Sequence, residues 1–126
     1  MGWIILTAGW CPACAQRIPD VVNLETMYAE SGMKVMVIVG EGPTQNSPVD
    51  VNYCQRYAGR FQNNAGRFFV DDQYESTFSN LFPYIGSDGI FSLPWEAILD
   101  PETMVYKYAD RSGADIQAVA NELLTP

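Results

Sequence analysis

Residues 3–14 read Trp3-Ile4-Ile5-Leu6-Thr7-Ala8-Gly9-Trp10-Cys11-Pro12-Ala13-Cys14. The unbroken run from Trp3 to Thr7 has the pattern of a central parallel strand buried on both faces. Ala8-Gly9-Trp10 turns the chain, and the apolar spacing beyond it predicts a helix opening at Cys11. At a helix start, unpaired backbone N–H groups and the positive end of the dipole favour a thiolate over a thiol. Cys11 is therefore expected to be the exposed nucleophile. Cys14, one turn along, is placed to attack a mixed disulfide on Cys11 and is expected to be the more buried of the two. Pro12 suits the first helical turn, where its missing N–H would have had no partner anyway.

Zinc sites share this cysteine spacing, but zinc takes four ligands from Cys and His. The chain has no His and a single further cysteine, Cys54. That ligand arithmetic turns the pair away from metal and toward redox chemistry, so neither a metal nor a cofactor is expected.

At 126 residues the chain is read as one domain spanning 1–126, long enough to bury roughly two thirds of its extended surface. With 15 acidic against 7 basic side chains the formal net charge is −8, which argues against sequence-independent nucleic-acid binding, since that needs basic patches to displace counterions. No apolar run approaches the roughly 18 residues of a membrane span. Met1-Gly2 leads at once into a strand, with no basic segment or cleavage motif of a signal peptide. The expected location is periplasmic or otherwise extracytoplasmic, in a mature or trimmed form, with the cytoplasm as the alternative.

From Cys11 to about Glu30 the positions Ile18, Val21, Val22, Leu24, Met27 and Tyr28 recur mostly at helical spacing, and Ser31-Gly32 supplies a stop. Pro19 is expected to kink this helix by removing a backbone hydrogen bond, the alternative being that it opens a separate helix. Met33 to Val39 is the second buried strand, so strand, helix and strand form a parallel βαβ unit. Gly40 to Pro48, dense in Gly, Pro, Asn and Ser, is a loop on the same edge as the cysteines and a candidate groove wall. Val51 to Phe61 reads as a helix with Val51, Cys54, Tyr57 or Ala58, and Phe61 on its apolar face. Cys54 there is read as a buried small hydrophobe, with a third redox thiol as the sharper alternative. Arg67 to Asp71 is a short strand, Tyr74 to Phe82 a short helix, and Pro83 to Ser92 a second loop. Trp95–Asp100 and Met104–Ala109 form an antiparallel hairpin, and Ala114 to Leu124 a closing amphipathic helix.

A βαβ unit with Trp10-Cys11-x-x-Cys14 at its first turn, Pro19 eight residues after the first cysteine, and Ser92-Leu93-Pro94 before a hairpin and closing helix resembles the thioredoxin fold over essentially the whole chain. Phe69-Val70-Asp71-Asp72 and Leu99-Asp100-Pro101 make it most similar to the TlpA-like thiol-disulfide redoxins. The resemblance implies an α/β fold with a central mixed sheet of about five strands flanked by helices, and a thiol-disulfide oxidoreductase that exchanges disulfides with protein substrates. Cys11 and Cys14 would be catalytic, and Trp10, Pro12, Leu93 and Pro94 would bind substrate. Pro94 would be the cis-proline facing the cysteines. A cis bond turns the backbone sharply and would let Leu93 pair backbone to backbone with an extended substrate; the alternative is a trans Pro94 opening an edge strand. Partners would be protein thiols or disulfides and an electron donor or acceptor protein, and the chain a monomer.

Two departures stand out. Common thioredoxins carry a buried acid six residues before the first cysteine, where this chain has Ile5. Glu96, two residues after Pro94, is a candidate replacement, the alternative being an ordinary solvated strand residue. Pro12-Ala13 also differs from the dipeptides of thioredoxin and of TlpA-like proteins, which leaves the direction of electron flow open. Other readings of the cysteines are a structural disulfide in a non-catalytic adaptor, and Cu(I) carriage by two soft thiolates. A peroxidatic Cys54 lacks the surrounding Thr-x-x-Cys pattern.

Overall fold

The apolar run at the N-terminus becomes the middle of the molecule. In the computed structural model, which describes residues 1–61, 65–72, 93–100, 102, 103, 105–110 and 118, five strands make one sheet: β1 (Gly2–Thr7), β2 (Lys34–Val39), β3 (Phe68–Val70), β4 (Trp95–Asp100) and β5 (Val105–Asp110). Their spatial order is β3-β2-β1-β4-β5. β1 runs parallel to β2, and β2 parallel to β3, whereas β4 is antiparallel to both β1 and β5. The mixed α/β architecture is that of the thioredoxin fold, with the hairpin of the final third formed by β4 and β5. Its ladder carries an irregularity between Ile98 and Leu99.

Alternation divides β1 between two cores. Trp3 and Ile5 point to the face covered by α1 (Pro12–Met27) and α2 (Val51–Gly59), where they join Ile18, Val21, Leu24, Cys54, Tyr57 and Ala58. Ile4 and Leu6 point the other way and meet Trp95 and Ala97. Each aliphatic side chain buried this way stabilises the fold by about 1.5–3 kcal/mol relative to exposure. β2 is more one-sided than its apolar sequence predicts: Val35, Val37 and Val39 are buried, while Met36 and Ile38 are only partly covered by the described residues.

α1 continues through Pro19, as one helix rather than two. It ends at Met27, short of the expected Glu30, and the chain tightens into a 3-10 turn over Ala29–Ser31. Gly32 closes that turn at φ 71°, a left-handed conformation that glycine adopts without a Cβ clash. α2 starts on Asp50, whose carboxylate accepts the Tyr53 N–H at 2.7 Å. Val51 does not join its buried face: it is the first helical residue and 61% exposed. Tyr57 packs edge-on against Phe61 and Phe68, with ring centroids 5.2 and 6.1 Å away, fixing α2 over β3. Arg67 precedes β3 in a 3-10 turn instead of opening the strand. It pairs with Glu25 of α1, and Glu25 also accepts the Val35 N–H at 2.8 Å. One carboxylate thus fastens α1 to β2 and to the entry of β3.

The expected short helix Tyr74–Phe82, the loop Pro83–Ser92 and the terminal helix Ala114–Leu124 lie outside the described residues, apart from Ala118, which is helical. Among the described residues no helix is long and apolar enough to cross a membrane.

Candidate redox site

Cys11 and Cys14 are joined as a disulfide, with Cα atoms 5.3 Å apart. The local sequence explains the placement. β1 ends at Thr7, Ala8 is fully buried, and the Cys11 N–H donates to the Ala8 carbonyl at 3.1 Å, closing the turn. Cys11 is the N-cap of α1 and Pro12 its first helical residue, so the helix opens one residue later than expected. The Cys14 backbone N–H donates to the Cys11 sulfur at 3.1 Å. A helix-start N–H aimed at sulfur is a donor that would hold a thiolate there once the disulfide is reduced.

The expectation of an exposed Cys11 is corrected. Cys11 is only 4% exposed, against 0% for Cys14, because both sulfur-bearing residues pack with Ala8 beneath Trp10 and Leu93. The anticipated order of burial is kept, but the margin is small. Trp10 is half-buried, and its Nε1 is buried without a hydrogen-bond partner among the described residues. Pro12 lies exposed at the helix start. The Leu93–Pro94 peptide bond is cis. Cys11, Cys14, Trp10 and Leu93 are therefore gathered in one cluster, with Pro94 joined to it through Leu93.

The sheet makes this gathering possible. Leu6 pairs with Trp95 across the antiparallel β1–β4 ladder, so the exit of β1 and the entry of β4 share one edge. The Gly40–Pro48 loop reaches the same edge: Gly40 N–H donates to the Thr7 carbonyl at 3.0 Å, and Gly9 N–H to the Glu41 carbonyl at 2.9 Å. Gly9 has no room for a side chain. A Cβ there would strike the Tyr53 hydroxyl and lie 2.9 Å from the Gly42 carbonyl oxygen.

Glu96 is not a solvated strand residue: it is 0% exposed. Its Oε1 accepts from Trp3 Nε1 at 2.9 Å and from Arg17 Nη2 at 3.1 Å, while Oε2 accepts from Arg17 Nε at 2.9 Å. Arg17 and Trp3 escaped the sequence reading. The available signal was an acid inside the apolar run Trp95-Glu96-Ala97-Ile98-Leu99 of an interior strand, where a charge has to find a partner. Cys54 is a buried free cysteine whose thiol is pushed up by burial. It sits in the core with Tyr57 and Ala58, as the small-hydrophobe reading expects.

No protein-family model and no curated protein matches the sequence. Solved structures match its fold. A thiol:disulfide interchange protein of the thioredoxin family from Chlorobium tepidum is 21% identical, with a TM-score of 0.65 over 98% of this chain and 79% of its own. A thiol:disulfide interchange protein DsbE from the same organism is 15% identical, with a TM-score of 0.61 over 98% and 77%. The pneumococcal exposed lipoprotein thioredoxin from Streptococcus pneumoniae is 17% identical, with a TM-score of 0.61 over 97% and 82%. The chain therefore has the thioredoxin fold.

Proposed function

We propose that this chain is a thiol-disulfide oxidoreductase acting on protein thiols or disulfides, with Cys11 as nucleophile and Cys14 as resolving thiol. The observation that carries the reading is the Cys11–Cys14 disulfide at the cap of α1, packed against Leu93 of the cis Leu93–Pro94 segment. In the reducing direction the Cys11 thiolate attacks a substrate disulfide, forming a mixed disulfide and expelling one substrate thiolate. The Cys14 sulfur, deprotonated, then attacks the Cys11 sulfur. The Cys11–Cys14 bond re-forms, the second substrate thiolate leaves, and two electrons have passed to the substrate. The same steps reversed oxidise a dithiol. Leu93 offers its backbone to an extended substrate segment, Trp10 and Pro12 flank the sulfurs, and a second thiol-disulfide protein returns the couple to its working state. An extracytoplasmic compartment fits the reading, since the structural neighbours include an exposed lipoprotein, and the chain would act there as a monomer.

Cys14→Ser should accumulate mixed disulfides that a reductant releases, and Cys11→Ser should be inactive. Insulin reduction or glutathione exchange by Cys11→Ser would overturn the assignment. A second reading, a static disulfide in a non-catalytic adaptor, draws on the burial of Cys11. A reduction potential well below about −300 mV would favour that reading, and a higher one a working couple.

A further inference from the structure

The ion pair between Arg17 and Glu96 joins the cysteine helix to the strand that follows the cis-proline, and so is built into the junction between the two halves of the site. Arg17 follows Cys14 by three residues on α1, so the two are neighbours on one helix face, with Cβ atoms about 5–6 Å apart. Glu96 follows Pro94 by two residues and meets the guanidinium through two bonds, Nε to Oε2 at 2.9 Å and Nη2 to Oε1 at 3.1 Å. Its burial is complete, while the Arg17 side chain is 24% exposed. Among the described residues Asp20 is the other charged group at Arg17, 4.0 Å away and largely in solvent. A buried carboxylate near the helix turn that carries a thiolate would oppose it; a guanidinium would support it.

We propose that Arg17 and Glu96 are positioning residues that set the redox poise of the Cys11–Cys14 couple: Arg17 cancels the buried charge of Glu96, so that neither sign dominates at the sulfurs. The inference rests on the redox reading above, and it gives Glu96 a role other than proton carrier. Both carboxylate oxygens are engaged by fixed donors, and the carboxylate ties the cysteine helix to the strand that follows the cis-proline. The couple concerned is the disulfide taking two electrons from two glutathione thiols, which become glutathione disulfide and give up two protons. One proton goes to Cys14, and the other goes to water wherever Cys11 stays a thiolate.

The test is the equilibrium of the full chain with glutathione at neutral pH, read by thiol trapping, on the wild type and four variants whose folding is checked by circular dichroism. Glu96→Gln keeps the shape and leaves the cation unopposed. It should stabilise the thiolate form and make the couple about tenfold more oxidising, a shift of about 30 mV upward. Arg17→Gln leaves the carboxylate unopposed and should shift the equilibrium about tenfold the other way. Arg17→Lys, and the double variant Arg17→Gln with Glu96→Gln, should lie within about threefold of the wild type, since each preserves the charge balance. A purely structural strut would lower the melting temperature of all four without opposed shifts. Single variants that move together, or not at all, overturn the proposal while leaving the redox reading intact. A wild-type pair that does not exchange with glutathione overturns both. Should Arg17→Gln not fold, Glu96→Gln decides alone, and an unchanged or more reducing couple is the overturning result.

Discussion

Ile5 and Glu96 stand directly opposite one another in the β1–β4 ladder. Cross-strand partners share a face of the sheet, so the acid enters the interior beneath α1 from the strand after the cis-proline, and an aliphatic residue occupies the β1 position beside it. Trp3, two residues before Ile5, completes the arrangement by donating its indole N–H to Glu96 at 2.9 Å. Trp3→Phe keeps most of the buried ring and removes that donor. Because the acceptor is a buried charged group, unfolding stability should fall by about 1.5–3 kcal/mol. Urea denaturation checks this, and an unchanged m-value would show that the loss lies in the folded state. A change below a few tenths of a kcal/mol would mean that the bond contributes nothing net.

Glu25 should dominate the acid side of the stability profile. Burial pushes its carboxyl upward, but the Val35 N–H and the Arg67 guanidinium, with help from Lys34, outweigh it and hold the group below its ordinary 4.5. A carboxyl depressed in the folded state contributes stability that is present above its unfolded value and is lost as pH falls from there through the folded value. Glu25→Gln is expected to cost about 1–2 kcal/mol at neutral pH and to flatten the decline below about pH 5. Urea midpoints measured across that range give the answer, and parallel curves for the two proteins would refute it.

Tyr57 governs the alkaline side. Burial, with Tyr53 adding to it and Arg60 opposing, pushes its phenol up to about 12. The hydroxyl is buried and unpartnered among the described residues. A phenol raised in this way contributes stability that is full below its unfolded value of about 10 and lost as pH rises from there through the folded value. Tyr57→Phe removes both the unpaired hydroxyl and the titration. It should leave the neutral-pH protein equal or up to about 1 kcal/mol more stable, and less sensitive to alkali. Thermal melts on either side of pH 10 test this, and a clear loss at neutral pH would show that the hydroxyl has a partner.

What was legible in the sequence was local. A continuous apolar run, two cysteines after a turn, Pro19, and a proline before alternating strands specify the fold because each is a backbone or periodicity constraint that acts within a few residues. The hidden parts depend on partners far along the chain. Glu96 meets donors from Trp3 and Arg17, 93 and 79 residues away in sequence, and no neighbour of Glu96 announces them. Cys11 loses its expected exposure to Trp10 and to Leu93, the latter brought in from far along the chain by the entry of β4 beside the exit of β1. Helical spacing placed Val51 on the buried face of α2, yet the first turn escapes the packing that covers Cys54, Tyr57 and Ala58. Periodicity assigns a side, whereas burial needs something to lie on that side.

The antiparallel ladder between β1 and β4 also dictates when the cysteines become covered. During synthesis, the cysteines and the strands β1 and β2 emerge long before Leu93 and Pro94, so a chain made only through Val39 carries the thiols without the loop that covers them. Closure of that ladder is a non-local event, slow relative to the formation of α1. Until it occurs, Cys11 lacks the roof of Leu93 and is open to any oxidant or disulfide in its surroundings. The cover over Cys11 is therefore a feature the molecule acquires only at the end of its folding.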